Sequence, residues 1–551
     1  MKINKFFTYA VVSACTIASG AMMVGCTDNF GELNTNKYEV DPGDLPFESQ
    51  FLEPITYVYA PHQNMFQFWT NLSVDLFGGY FMTPHNFGGN GNVDYKLNRG
   101  FCGGMYENFN LHIFNNTRRL IKTCDEKGFK DYAAIMRVVQ AYALLTMTDA
   151  YGPVAYQSVL DGNDVAFAYD KQEDLYNSMF KLLDDAIVGF KNGTSSPENM
   201  KKFDYWCNGD HALWIKVANQ FKLRIAMRIV KVNPTLAKQK AEEAYQGGVL
   251  DAGNKDIVID QGLSNELTRM FEWGDCGVNA SLVTIMEGYK DPRTALYITK
   301  NPSEIVGEKG TKIAKNSMYV GVRAGCSLPN KPNQWGNFSS VVCSYSTPLP
   351  VMKVAEAYFL RAEGALRGWN MGGTAKELYE EGIRVSIKNE LKYKGVYAGV
   401  TKITDEEINA YINGTTAQTD FVDPVDAKNN HVAMNTIPVK WNESANNEEK
   451  LQRIITQKWL ANFPLSTEAW AEYRRTGYPK LFPNRVNSSN GTIDTNEQIR
   501  RLIYSDVEIN TNNIELQKGI QLLDSENSSS KFKGDIGGSR VWWDRADKGN
   551  F

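Results

Sequence analysis

One pattern restricts this chain more than any other: a long amphipathic helix, a Gly or Pro stop, and a second helix, repeated along the sequence. In "DYAAIMRVVQAYALLTMTDAYG" the apolar residues Ile135, Val138, Val139, Tyr142 and Leu145 recur at intervals of three and four, which sets them on one helix face. Gly152-Pro153 stops that helix, and "EDLYNSMFKLLDDAIVGF" follows with Leu175, Met179, Leu182, Leu183 and Ile187 in register. The layout returns at "GDHALWIKVANQFKLRIAMRIV" with "NPTLAKQKAEEAYQGG", at "LPVMKVAEAYFLRAEGALRGWN" with "GTAKELYEEGIRVSIKNE", and at "EEKLQRIITQKWLANFP" with "STEAWAEYRRTG". Small residues (Ala141, Ala218, Ala226, Ala357, Ala362, Gly364) sit among the large ones, so paired helices can approach closely.

The spacing resembles tetratricopeptide repeats, but the pairs are not contiguous. The expected fold is therefore mainly α: a tetratricopeptide-like helical-hairpin framework with long irregular loop insertions and a few short strands. The insertions at 76–110, 249–350 and 396–446 are rich in Gly, Asn and aromatic residues, and loops of that length usually bind something. Short strands are expected inside them at "KDIVI" and "SMYVGV".

The chain opens with Lys2 and Lys5, then an uncharged, mostly apolar run from Phe6 to Gly25, the layout of a secretory signal. A run of about 20 residues can just span a bilayer, but no basic stop-transfer cluster follows. Met23-Val24-Gly25-Cys26 resembles a bacterial lipobox, with Met23 in place of the more usual Leu, and this implies that Cys26 carries lipid. Asp28 and Glu32 resemble the acidic export tag of surface lipoproteins. The expected organisation is a signal peptide over 1–25, a lipidated tether over 26–50 and a single helical domain over 51–551.

Without its first 25 residues the chain keeps 526, with no obvious linker, and 65 aromatic residues to fill a core. Its balance of 57 basic against 63 acidic residues, −6, lacks the basic surface that nucleic acid requires and any polybasic patch for anionic lipid. Beyond Cys15 and Cys26 remain Cys102, Cys124, Cys207, Cys276, Cys326 and Cys343. An exported chain permits disulfides among these six, and a large core equally permits buried free thiols. No CxxC spacing points to zinc or dithiol chemistry.

The stretches "YGPVAYQ", "VAEAYFLRAEGALRGW", "LYEEGIRVSI", "IITQKWLANFPLSTEAWAEYRRTGYP" and "RRLIYSDVEINTN", with the late "WWD", resemble in order the SusD/RagB family of outer-membrane nutrient-binding lipoproteins. The likeness covers essentially the whole mature chain. Ala155 and Ser505 depart from it, each where the family often has proline. The resemblance implies a cell-surface protein, lipid-anchored to the outer membrane, that captures oligosaccharide or peptide and acts as the lid of a SusC-like TonB-dependent transporter, with no catalytic centre. The family shares no ligand-contact motif, so none is carried onto this chain.

Ligand residues are sought where aromatic and polar side chains mix in loops, because a sugar ring stacks its C–H face on an aromatic ring while amides and carboxylates bind its hydroxyls. The candidates are Phe77, Tyr80, Phe81, His85 and Asn86 in "FGGYFMTPHNFGGN", Trp273, Asp275 and Asn279 in "FEWGDCGVN", and Trp335 and Asn337 in "NQWGNFSS". Phe77, Tyr80 and Phe81 are of a kind that more often fills core behind a loop than faces a ligand. Trp69, Trp369, Trp459 and Trp470 are expected to be packing residues, and Trp542 with Trp543 a terminal clasp. The five histidines form no HExxH, and GxSxG, P-loop and GxGxxG motifs are missing. No cofactor is expected; calcium on loop carboxylates lacks an EF-hand pattern. A surface glycoside hydrolase, whose paired carboxylates sequence does not reveal, and a repeat scaffold without a ligand are the alternative classes.

Overall fold

The computed structural model describes residues 46–89, 92–162 and 166–551. All four expected helix pairs form. Helices of ten residues or more run as α1 (Arg99–Asn108), α2 (Asn115–Lys127), α3 (Lys130–Tyr151), α4 (Gln172–Asn192), α5 (His211–Arg228) and α6 (Pro234–Gln246). They continue as α7 (Ala280–Tyr289), α8 (Val354–Leu366), α9 (Ala375–Ala398), α10 (Asn447–Ala461), α11 (Ser466–Thr476) and α12 (Asn513–Glu526). Local chemistry sets their ends. α3 stops at Gly152, whose φ of 92° is costly for a residue with a Cβ. Pro234 occupies the first turn of α6 while the Asn233 side chain accepts from the Leu236 amide. Thr374 and Glu377 close a capping box on α9.

α3 lies along α4, α5 along α6 and α8 along α9; α4 then packs on α5, and α8 on α10, which chains the pairs into one stack. Small residues permit it: a Cβ on Gly189 of α4 would meet the Lys130 carbonyl oxygen at 2.8 Å and the Ala134 Cβ at 2.9 Å. Trp214, Trp459, Trp470 and Trp543 are fully buried, and each large apolar side chain so placed contributes roughly 1.5–3 kcal/mol. Trp69 is buried as expected, whereas Trp369 and Trp542 remain half-buried.

Charge also lies deep in the stack. Arg228 of α5 places Nε 3.0 Å from Asp149 of α3 and its two terminal nitrogens 2.5 Å from Glu468 and Glu472 of α11. Lys458 of α10 sits 2.9 Å from Glu468, 3.2 Å from Glu472 and 3.4 Å from Glu356 of α8. Burial by itself would raise the Glu472 carboxyl, but Arg475, Lys458 and Arg228 outweigh it and hold that group well below the ordinary carboxylate range. Five helices are thereby tied through one polar knot.

Among the described residues strands are few and short: β1 (Phe81–Met82), β2 (Ile257–Ile259), β3 (Gly277–Val278), β4 (Ile305–Val306), β5 (Lys312–Ile313) and β6 (Leu349–Met352). They pair antiparallel as β1 with β3, β2 with β6 and β4 with β5. "KDIVI" supplies β2, but "SMYVGV" makes no strand; only Val322 bridges Asn279, because Gly321 packs directly on the Asn279–Ala280 backbone. The six cysteines beyond Cys26 are free thiols, so no disulfide staples the described residues. The signal segment, Cys26 and the tether up to residue 45 lie outside the described residues. No helix among the described residues is long and apolar enough to cross a membrane.

Candidate functional site

The three candidate loops meet at one buried carboxylate. Asp275, just before β3, accepts from Gln67 Nε2 at 2.8 Å on one oxygen, and from His85 Nε2 at 2.8 Å and Lys331 Nζ at 2.5 Å on the other. His85 Nδ1 in turn accepts the Phe87 amide at 3.0 Å, which leaves the ring proton on Nε2, toward Asp275. Burial would raise the Asp275 carboxyl, but the His85 and Lys331 donors outweigh it and hold it below its ordinary value. Lys331 Nζ also donates to the Trp273 carbonyl at 2.7 Å.

Asn333 binds the loops a second time. Its Nδ2 donates to the Pro84 carbonyl at 3.0 Å, while its Oδ1 accepts from the amides of Trp335 and Gly336 and starts a short 3-10 turn, Gln334–Asn337. Trp335 Nε1 then donates to Asp423 Oδ2 at 2.9 Å, and Asn337 Nδ2 to the Glu304 carbonyl at 3.0 Å. Trp273, Trp335, Asn86 and Asn337 are all half-buried, each with a face toward solvent.

Aromatic rings continue the surface. Phe68, 38% exposed, stacks on Phe101 at 5.1 Å; Phe87 meets Phe101 edge-on at 6.1 Å and lies parallel to His85 at 5.4 Å. Phe87 holds a left-handed φ of 49°, an uncommon conformation for an aromatic residue and one that concentrates at functional sites. Beside Trp273, the Arg269 guanidinium lies 4.8 Å over the Tyr345 ring, and the Tyr345 hydroxyl donates to Glu272.

Four candidates are corrected. Phe77 packs on Trp470 at 5.6 Å, Tyr80 on Trp459 at 4.9 Å and Phe81 on Phe463 at 5.4 Å, all buried, because the chain turns straight from helix into β1 across the core. Buried Asn279 caps α7 by accepting the Ser281 amide at 2.8 Å. His85 and Asp275 are buried too and act as supports rather than contacts. Phe68, Phe87, Phe101, Gln67, Lys331 and Asn333 escaped the sequence reading, although Phe87 stands within "FGGYFMTPHNFGGN". The arrangement offers ring faces for C–H contact, with amides and an ammonium between them, which is the chemistry of a carbohydrate-type surface.

A stacked-helix frame whose long inserted loops gather aromatic and polar side chains defines a class of helical-repeat proteins with large insertions. The chain matches the SusD-like family model, described as SusD and RagB outer membrane lipoprotein, over residues 29–544, and it belongs to that family. Among solved structures it is similar to a chitin-binding SusD homologue from Flavobacterium johnsoniae, with 34% identity, a TM-score of 0.81, and coverage of 92% of this chain and 100% of that one. A SusD homologue from Bacteroides thetaiotaomicron shares 29% identity, with a TM-score of 0.80 and coverage of 92% and 100%. One from Bacteroides vulgatus shares 29%, with a TM-score of 0.81 and coverage of 92% and 98%. No curated protein matches the sequence.

Proposed function

We propose that this protein is a cell-surface lipoprotein, anchored through Cys26, that captures an oligosaccharide and delivers it to a SusC-like TonB-dependent transporter as its lid. One observation supports the reading: loops far apart in sequence are tied to Asp275 through Gln67, His85 and Lys331, and these segments carry the half-buried Trp273 and Trp335 and the Phe68–Phe101 stack. The solved relative that binds chitin makes chito-oligosaccharides the first ligands to try. Each exposed ring contributes on the order of 1 kcal/mol to sugar stacking, so several are needed for a useful affinity. Capture requires no bond to break, no metal and no cofactor.

The experiment is calorimetric titration of the soluble chain beyond Cys26 with chitohexaose, beside Trp273→Ala and Trp335→Ala. Saturable binding that weakens about tenfold in each variant, with the sugar recovered intact after long incubation, supports the reading. Unchanged affinity in both variants rejects the site, and release of shorter sugars turns the protein into a hydrolase. Co-purification of a barrel partner from membranes, lost on Cys26→Ser, tests delivery and anchoring.

A further inference from the structure

A second concavity, of about 1050 Å³, lies between α6, the turn after α8 and residues 548–551, and it shares no lining residue with the loop surface. Trp369, expected from sequence to be packing, is half-buried here, and the Phe551 ring is 52% exposed beneath the Arg367 guanidinium at 4.8 Å. One wall is the face of α6 that carries Lys238, Gln239, Glu242 and Gln246.

The charges of this groove are unequally matched. Arg367 pairs with Glu363 at 2.7 Å, Glu243 with Lys240 at 3.0 Å, and Glu242 accepts the Asn370 amide at 2.8 Å. Lys231 and Lys238 meet no carboxylate at ion-pair distance among the described residues, and Lys548 donates to the Lys231 carbonyl at 2.9 Å. Burial pushes the Lys231 ammonium down to about 8; Arg475 and Arg500 add to that, while Asp544 and Glu448 oppose it. An anion beside it would favour the charged form further. Asn550 Oδ1, on the same lining, is a buried acceptor without a donor.

We propose that this groove is a second binding site, for an acidic saccharide, which stacks a ring on Trp369 and sets its carboxylates against Lys231 and Lys238. A saccharide fits better than an acidic peptide: Gln239, Gln246 and Glu242 offer donors and acceptors suited to hydroxyls, and the helical wall presents no strand edge to pair with a peptide backbone. The proposal does not depend on the loop surface.

The test titrates the soluble chain beyond Cys26 with tetragalacturonate, cellotetraose and hexaglutamate, using Lys231→Met, Lys238→Glu, Trp369→Ala and Trp335→Ala. Tetragalacturonate should bind saturably, weaken as salt rises, lose about tenfold or more in each groove variant, and be unaffected by Trp335→Ala. Cellotetraose should bind at least about tenfold more weakly. No saturable binding, equal affinity in the groove variants, or hexaglutamate binding as tightly would overturn it. Lys238 is exposed on α6, so that variant keeps the test decisive if Lys231→Met folds poorly. Chitohexaose binding, read at Trp335, reports on the loop site separately.

Discussion

Lys331 Nζ lies 2.5 Å from Asp275 Oδ1, and this contact fastens the loop that carries Trp335 to the one that carries Trp273. Half of the lysine side chain is solvent-exposed, so the ion pair itself contributes well under about 1 kcal/mol to folding. Lys331→Met should therefore leave the melting temperature nearly unchanged while weakening chitohexaose binding several-fold, because the two ring-bearing loops lose their common fixing point. Asp275→Ala strands His85 and Gln67 as well and should cost about 1–3 kcal/mol of stability in urea unfolding. Unaltered binding in both variants would separate the carboxylate from ligand capture.

Asp75 supplies a pH signature. Ser466 donates to one carboxylate oxygen, the other is buried without a partner, and burial pushes the group up to about 7 in spite of that bond. Since the folded value lies above the ordinary 3.8, the native state holds a proton that the unfolded chain has released, and stability must fall as pH rises from about 4 to about 7. Asp75→Asn keeps the Ser466 contact and removes the titration. Wild type and variant should match near pH 4, with the variant more stable at pH 8 by on the order of 3 kcal/mol. Parallel stability curves for the two proteins would refute this.

The polar knot predicts a severe loss at Arg228. Truncation to Ala leaves Asp149, Glu468 and Glu472 buried without their shared cation, a change that costs about 3–5 kcal/mol. Thermal unfolding should report it as a large drop or a failure to fold. Lys181→Ala, which removes an exposed ion pair with Asp185, should shift unfolding by less than about 0.5 kcal/mol.

Cysteine chemistry gives a further check. Burial pushes the Cys102, Cys124 and Cys326 thiols up to about 12 and raises Cys207 and Cys276 well above the ordinary thiol range, while Cys343 is half-buried. In a soluble form beginning after Cys26, a thiol reagent should label Cys343 ahead of the others and reach all six only on denaturation. Dithiothreitol should leave the melting temperature unchanged; a fall would reveal a disulfide.

The helical frame could be read from the sequence because its signal is local: a 3.6-residue period, a stop and a cap each occupy neighbouring positions. The site could not, because its hub joins Gln67, His85 and Lys331 to Asp275 across separations of 208, 190 and 56 residues. Composition singled out loops that the fold brings together, and Trp273 and Trp335 are half-buried, but it could not separate them from Phe77, Tyr80 and Phe81, which differ only in what the fold lays over them. Phe68 was hidden for a geometric reason. It rides on a π-helical turn, Gln67–Val74, whose wider winding takes it off the stripe that groups Trp69 with Leu72 and Leu76.

Every member of the Arg228 and Lys458 cluster comes from a repeat helix and none from the insertions at 76–110, 249–350 or 396–446. The charged knot is thus held by the repeat framework alone. Variation that spares those helices leaves the knot intact, whereas the buried rings of Phe77, Tyr80 and Phe81 mean that a foreign loop placed at 76–110 would have to supply equivalent side chains to the interior.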